Sequence, residues 1–288
     1  MWVDKGLDVA EYLRMVYSAV MEILTSPSVL ENSCSIVVFG SAARPEDFVL
    51  GVSDVDVLVL TKDPPKRRWY EFTVFNSTVN VTVFTINEFK RLIKLGDPLV
   101  FMLKYSVILR DKCSKTILRA KPKITKHTKY VLRRSVFAAL GLALENYYIL
   151  GNYRRAASHL YHSVRHLARY KALPKGELPV SDREVYGCSR QQLKNLYLTL
   201  SNARRREIGR GELRNLISRV VKLVARELNL KATSLNSLEN EIKEDTYIIN
   251  AGESNSYIVF RVERYEDGRR KIIEIKDEEV REVNNVFF

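Results

Sequence analysis

The sequence predicts an α/β domain with a mixed sheet, followed by an all-α four-helix bundle and a small C-terminal β-hairpin. Over residues 1–120, short β-branched runs alternate with helical patterns, which is typical of a sheet with helices packed on it. Over residues 125–230, apolar residues recur with the helical period of 3.6. Over residues 231–288, apolar and polar residues alternate on both sides of Asp267-Gly268, which is a strong hairpin signal. We therefore expect three domains with these bounds.

The first domain begins with an amphipathic helix. We expect it over residues 8–25, because Leu13, Val16 and Val20 lie at helical spacing. Runs of β-branched residues farther along indicate buried strands. The further predicted elements are strands over 35–40 and 54–60, a hairpin of 69–75 and 79–85 around Asn76-Ser77, a helix over 86–96 and a strand over 106–111.

Four helices are expected in the second domain, separated by glycines that end one helix before the next begins. They cover residues 128–150, 152–172, 189–208 and 211–229, with Gly151, Gly209 and Gly211 as the breaks. Residues 174–187 are expected to form a long loop, and residues 257–280 the final hairpin.

Composition and the N-terminal residues exclude several classes of protein. The most apolar stretch, residues 136–150, is shorter than a membrane-spanning helix and contains Glu145. No secretory signal follows Met1, so we expect a cytoplasmic protein with no membrane partner. Two glutamines against 47 lysines and arginines are typical of a thermophile.

The cysteines give no sign of a structural framework. Cys34, Cys113 and Cys188 are far apart and odd in number. That excludes a disulfide scaffold and a dedicated zinc cluster. We expect them to be small core residues.

Positive charge is concentrated in the middle of the chain. The net charge is +13, and residues 125–230 alone carry +14. A basic run at Arg204–Arg206 is flanked by further cations at Arg190, Lys194, Arg210 and Arg214. Such a surface favours an acidic partner, which is nucleic acid, a nucleotide or another protein's acidic face. The alternative is a solvated helix surface with no partner.

The segment that carries chemistry covers residues 37–60, VVFGSAARPEDFVLGVSDVDVLVL. Asp54 and Asp56 point to the same face of a predicted strand, since side chains alternate along a strand. Two carboxylates so placed form an oxygen site suited to Mg²⁺. Gly40-Ser41 ends the preceding strand and lets backbone N–H groups approach phosphate oxygens. The pattern predicts a site for a metal-bound triphosphate.

Gly40-Ser41, twelve residues, then Asp54-Val55-Asp56-Val57 resembles the signature of the DNA polymerase β-type nucleotidyltransferase superfamily, and within it the minimal nucleotidyltransferases of archaea and bacteria. The resemblance covers about residues 30–112. It implies that a nucleoside monophosphate moves from an NTP, expected to be ATP, to an unidentified protein, RNA or small-molecule acceptor. Asp54 and Asp56 would hold Mg²⁺ or Mn²⁺, and Gly40 and Ser41 would bind the triphosphate.

One position departs from the pattern of that superfamily, which has a third carboxylate on a later central strand to activate the acceptor hydroxyl. Asn80 stands where we expect the aspartate, and an amide cannot serve as a base. Glu71 on the neighbouring strand could substitute for it. The alternative interpretation is a catalytically inactive nucleotide-binding module.

Residues 151–173 resemble a core helix of HEPN domains, which often accompany minimal nucleotidyltransferases. Arg154, His159 and Tyr161 match the spacing of the HEPN ribonuclease motif. The resemblance implies an RNA-binding or RNA-cleaving protein, and a homodimer. The motif falls in the second predicted helix rather than late in the domain, which favours packing or phosphate-contacting roles for these residues.

Overall fold

The computed structural model describes residues 8–26, 33–112 and 120–283. The chain forms two compact units. The first consists of Met1–Thr128 with Leu178–Glu184, and the second consists of Lys129–Glu177 with Val185–Phe288.

A five-stranded mixed sheet is the centre of the first unit, with the strand order β3-β4-β2-β1-β5. Strands β2 and β4 are parallel, and the other neighbouring pairs are antiparallel. The elements are α1 (Val9–Thr25), β1 (Ser33–Phe39), β2 (Val55–Thr61), β3 (Trp69–Val74), β4 (Ser77–Thr85), α2 (Ile86–Leu95), α3 (Pro98–Met102) and β5 (Val107–Asp111). The α/β fold expected for this part of the chain is confirmed.

The two faces of this sheet bury different residues. On one face, Val55, Val57 and Val59 of β2 belong to an apolar cluster with the buried stripe of α1. On the other face, Leu58 and Leu60 belong to a cluster with buried residues of α2 and α3. The alternation of β2 therefore separates two small cores. It also places Asp56 on the face that α2 and α3 cover only in part.

The turn between β3 and β4 lies one residue earlier than the sequence predicts. Phe75 and Asn76 both have positive φ, 46° and 65°, as a two-residue primed hairpin turn requires. Ser77 is already in β4, where its hydroxyl lies 2.7 Å from the hydroxyl of Tyr12. This turn fixes the register of β3 against β4.

The second unit contains the helices α4 (Lys126–Tyr148, which begins in the first unit), α5 (Tyr153–Ala172), α6 (Asp182–Cys188, shared between the units), α7 (Gln191–Ala203), α8 (Arg210–Leu228) and α9 (Leu235–Glu241). The four expected long helices are α4, α5, α7 and α8, and their buried residues form one core. The expected loop 174–187 ends in α6, a helix of only seven residues.

The C-terminal residues form more than the hairpin that the sequence predicts. Strands β6 (Thr246–Ser254), β7 (Tyr257–Glu266), β8 (Arg269–Lys276) and β9 (Glu279–Glu282) make a four-stranded antiparallel sheet in that order. A Cβ on Gly141 of α4 would lie 2.9 Å from the amide nitrogen of Ala251 in β6. Apolar residues of β6, β7 and β8 share the core of the helices. For this reason residues 231–288 do not separate from the helical unit.

Cys34 is buried in β1 and is disulfide-bonded, which the sequence analysis did not predict. Cys188 is a free thiol, and Cys113 lies outside the described residues. Within the described residues, no helix is long and apolar enough to cross a bilayer.

Candidate active site

The backbone at Gly40 lies close to the carboxylate of Asp56. It follows β1 and opens a 3₁₀ turn over Gly40–Ala43. Its φ of +71° is one that residues with a side chain rarely adopt. A Cβ on Gly40 would lie 2.7 Å from Oδ2 of Asp56, so a side chain at this position would displace that carboxylate. The Gly-Ser turn and Asp56 therefore belong to one site.

Two carboxylates lie at the start of β2. Asp54 directly precedes the strand and is exposed, whereas Asp56 is half-buried and pairs with Phe39 in the register of β1 and β2. Burial of the carboxyl, and the nearby charge of Asp54, raise the pKa of Asp56 to about 7. Both effects oppose a second negative charge here, and a bound cation would offset them.

Asn80 and Glu71 continue the row that Asp56 begins. Asn80 of β4 is the register partner of Asp56 in the parallel pair, and Glu71 of β3 is the register partner of Asn80 in the antiparallel pair. Residues directly opposite each other on neighbouring strands point to the same face of a sheet. The three side chains therefore form one row across three strands. Asn80 is half-buried and Glu71 is exposed.

A buried ion pair fixes the loop between the Gly-Ser turn and the carboxylates. Arg44 Nε lies 2.6 Å from Asp47 Oδ2, and the two side chains are 4% and 3% exposed. Asp47 also accepts a hydrogen bond from the backbone N–H of Asp182, at 3.2 Å. This pair is not predicted from the sequence, although Arg44 and Asp47 stand three residues apart within residues 37–60. The arrangement ties the loop between Gly40 and Asp54 to the backbone at Asp182.

The donor set fits a cation that is shared with a phosphate group. Within the described residues no group of three or more His, Cys, Asp or Glu could hold a metal ion. Two carboxylates alone do not complete a six-oxygen shell, but Mg²⁺ typically takes one or two carboxylates together with phosphate oxygens and waters. Asp54 and Asp56 are therefore suited to a metal-bound triphosphate rather than to an all-protein metal cage.

Of the three residues that match the HEPN motif, one is inaccessible. Tyr161 is 0% exposed. Its hydroxyl lies 2.9 Å from that of Tyr197, and the guanidinium of Arg204 lies 3.8 Å from the centre of its ring. Arg154 donates to the carbonyl of Arg204, at 3.4 Å. His159 is half-buried, and burial together with the charge of Arg155 lowers the pKa of its imidazole.

The basic run in the second unit is partly neutralised. Arg206 pairs with Glu212, and Arg214 Nε lies 2.7 Å from Glu239 Oε1. Arg204 itself is 2% exposed. The run is therefore not a continuous exposed cationic surface.

Most of the first unit matches a known protein family. Residues 21–131 match the nucleotidyltransferase domain family. This match contains Gly40, Ser41, Asp54 and Asp56, and it confirms the expected type of the N-terminal domain. It does not extend over the helical bundle, so the likeness to HEPN domains stays a prediction.

Solved structures offer only distant likenesses. One is a nucleotidyltransferase-like protein from Exiguobacterium sibiricum 255-15, with 18% identity, a TM-score of 0.34, and coverage of 74% of this chain and 76% of that chain. Another is the spectinomycin adenyltransferase AAD(9) from Enterococcus faecialis, solved with ATP and spectinomycin, with 12% identity, a TM-score of 0.44, and coverage of 71% and 98%. Neither likeness is close enough to carry an argument. No curated protein matches the chain.

Proposed function

We propose that this protein is a metal-dependent nucleotidyltransferase that moves a nucleoside monophosphate from an NTP, with ATP as the expected donor, to a hydroxyl group of an acceptor. The observation that carries the proposal is the close approach of the Gly40 backbone to Asp56, where an added Cβ would lie 2.7 Å from Oδ2. It joins a phosphate-binding type of turn and a carboxylate pair in one site, inside the stretch that matches the nucleotidyltransferase domain.

Each residue of the site has a role in this proposal. Asp54 and Asp56 would hold Mg²⁺ or Mn²⁺, which would neutralise the triphosphate and polarise its α-phosphorus. The backbone at Gly40 and Ser41 would bind triphosphate oxygens at the start of the 3₁₀ turn. The Arg44–Asp47 pair keeps this turn and the carboxylates in a fixed relation, so that little ordering is needed when the nucleotide binds.

The acceptor is a protein, an RNA or a small hydroxylated molecule. The charge of +14 over residues 125–230 favours an acidic acceptor or partner for the second unit. If the second unit is HEPN-like, its partners would be RNA and a second copy of the chain. We also propose that the protein is located in the cytoplasm.

The test is transfer of label from each α-labelled NTP, with Mg²⁺ and with Mn²⁺, to total RNA or to the proteins and small molecules of a cell extract. We expect label on one acceptor class with the wild type and none with Asp56→Asn. Asp63→Asn is the matched control, because Asp63 is an exposed aspartate beyond the opposite end of β2. Equal transfer by wild type and Asp56→Asn would overturn the proposal.

A second function is favoured by one observation. The register partner of Asp56 on β4 is Asn80, an amide that cannot accept the proton of an acceptor hydroxyl. A module that binds Mg·NTP and transfers nothing would have this composition. Measurable Mg·ATP binding by the wild type, with no pyrophosphate released in the presence of any acceptor class, is the result that would favour it.

A further inference from the structure

We infer that Glu71 is the general base that accepts the proton of the acceptor hydroxyl. This inference rests on the proposed nucleotidyltransferase function. It concerns a residue on β3, the edge strand of the sheet. The chemistry requires such a group, because a hydroxyl that attacks phosphorus must lose its proton.

The register places Glu71 in line with the metal-binding carboxylates. Neighbouring strands lie about 4.8 Å apart, so Glu71 and Asp56 are separated by about 10 Å of sheet with Asn80 between them. An acceptor hydroxyl positioned over Asn80 would have the cation site on one side and the Glu71 carboxylate on the other. The glutamate side chain is one methylene longer than an aspartate side chain, which extends its reach over Asn80.

The surroundings of Glu71 leave it available for this role. It is exposed, and no ion pair to it occurs within the described residues. Glu88 makes a useful contrast: it lies 2.6 Å from Arg68 and accepts the backbone N–H of Thr85 as part of a helix cap. Glu88 has a structural role that explains its presence, whereas among the described residues no ion pair or helix cap accounts for a carboxylate at position 71.

The distance in the row also distinguishes a base from a third metal ligand. The described part of the chain contains no group of three carboxylates close enough to hold one ion. Glu71 therefore does not form, with Asp54 and Asp56, a group that could hold a metal ion. A proton acceptor needs only to reach the acceptor hydroxyl.

The step balances as a nucleophilic displacement. The O–H bond of the acceptor breaks, and its proton passes to the Glu71 carboxylate. The oxygen forms a bond to the α-phosphorus while the bond from that phosphorus to the bridging oxygen of the β-phosphate breaks. Pyrophosphate leaves with that electron pair. The Asn80 amide takes part only as a hydrogen-bonding group.

Glu71→Gln tests the inference, because it removes the base and keeps the shape of the side chain. We expect kcat for label transfer to fall about 100-fold or more, and Mg·ATP binding to stay within about twofold. Glu22→Gln is the matched control, since Glu22 is exposed on α1, which packs against the opposite face of the sheet.

A second variant gives a rescue experiment. Asn80→Asp in the Glu71→Gln background restores a carboxylate next to Asp56, and we expect kcat to recover about tenfold or more. Wild-type kcat in Glu71→Gln, beside an inactive Asp56→Asn, would overturn the role of Glu71 and leave the proposed function intact. A wild type that binds Mg·ATP but transfers to no acceptor would overturn both.

Discussion

The two units of this protein hold their polar residues in different ways. In the first unit, Asp56, Asn80 and Glu71 lie in one row of a sheet, where Asp56 and Asn80 are half-buried and Glu71 on the edge strand is exposed. In the second unit, polar groups are enclosed: Tyr161 is 0% exposed, and Glu274 is 1% exposed and paired with arginines. A row open to solvent suits a substrate, whereas enclosed pairs contribute to the packing of the unit. The first unit also encloses the Arg44–Asp47 pair, but its row of Asp56, Asn80 and Glu71 stays accessible, which agrees with the chemistry proposed there.

The largest effect is expected at the buried ion pair of the first unit. Replacing Arg44 with Met leaves the charge of Asp47 buried without its 2.6 Å partner. Loss of one partner of a buried pair costs about 3–5 kcal/mol. We expect the free energy of unfolding, measured in denaturant titrations, to fall by about that amount. A change below about 1 kcal/mol would mean that the pair contributes no more than an exposed salt bridge to the stability of the first unit.

Two glycines with similar backbone angles distinguish the effect of backbone strain from the effect of a close neighbour. Gly40 and Gly151 have φ of +71° and +61°, but only Gly40 has a neighbour within 4 Å of an added Cβ, the carboxylate of Asp56. Gly40→Ala should weaken Mg·ATP binding at least tenfold, which is about 1.4 kcal/mol. Gly151→Ala in the second unit should leave the binding unchanged and lower stability by about 1 kcal/mol. Equal effects of both substitutions on binding would contradict the placement of the site.

Substitution of Tyr161 tests whether this buried residue contributes only to the packing of the second unit. Tyr161→Phe removes the hydroxyl that lies 2.9 Å from that of Tyr197 and keeps the ring. We expect stability to fall by about 1 kcal/mol and label transfer to stay at the wild-type rate. Loss of label transfer with no change in stability would instead make this tyrosine a functional residue.

The smallest effect concerns Glu184. Burial raises the pKa of this carboxyl, but hydrogen bonds from Lys104, Tyr105 and the backbone N–H groups of Val180 and Ser181 outweigh it and lower the pKa to about 2. A depressed pKa stabilises the fold above the ordinary value of 4.5, and this contribution is lost as the pH falls from 4.5 toward 2.

Glu184→Gln should therefore lower stability at pH 7 by about 1 kcal/mol. The difference from wild type should shrink as the pH approaches 2, which thermal unfolding at several pH values can measure. If the stability difference between the variant and the wild type stays constant with pH, the four donors do not stabilise the charged form of Glu184.

The sheet of the first unit shows which features a sequence can predict. The face of the sheet on which Asp56 lies could be predicted because side chains alternate along β2. Gly40-Ser41 and Asp54 could be located from their spacing before that strand. The position of Glu71 relative to Asn80 could not be fixed in that way. It depends on the register of β3, which the Phe75-Asn76 turn sets one residue earlier than expected.

The second unit contains features that the hydrophobic pattern of the sequence does not predict. Helix α6 has seven residues, too few for a helical period to be visible. Strand β9 is four residues long and exposed throughout, so it has no apolar alternation. The spacing of Arg154, His159 and Tyr161 also could not reveal that Tyr161 is buried, since burial depends on which helices pack against α5.

The most direct measurement is Mg·ATP binding by calorimetry, made in parallel with pyrophosphate release, for wild type, Asp56→Asn and Glu71→Gln. Our central claim is that two residues in the row of the first unit have separate roles. Asp56 binds the nucleotide, and Glu71 removes the proton of the acceptor hydroxyl. We predict that Asp56→Asn loses both binding and release, whereas Glu71→Gln binds Mg·ATP like the wild type and releases little pyrophosphate. Normal binding and release by Asp56→Asn would contradict that claim.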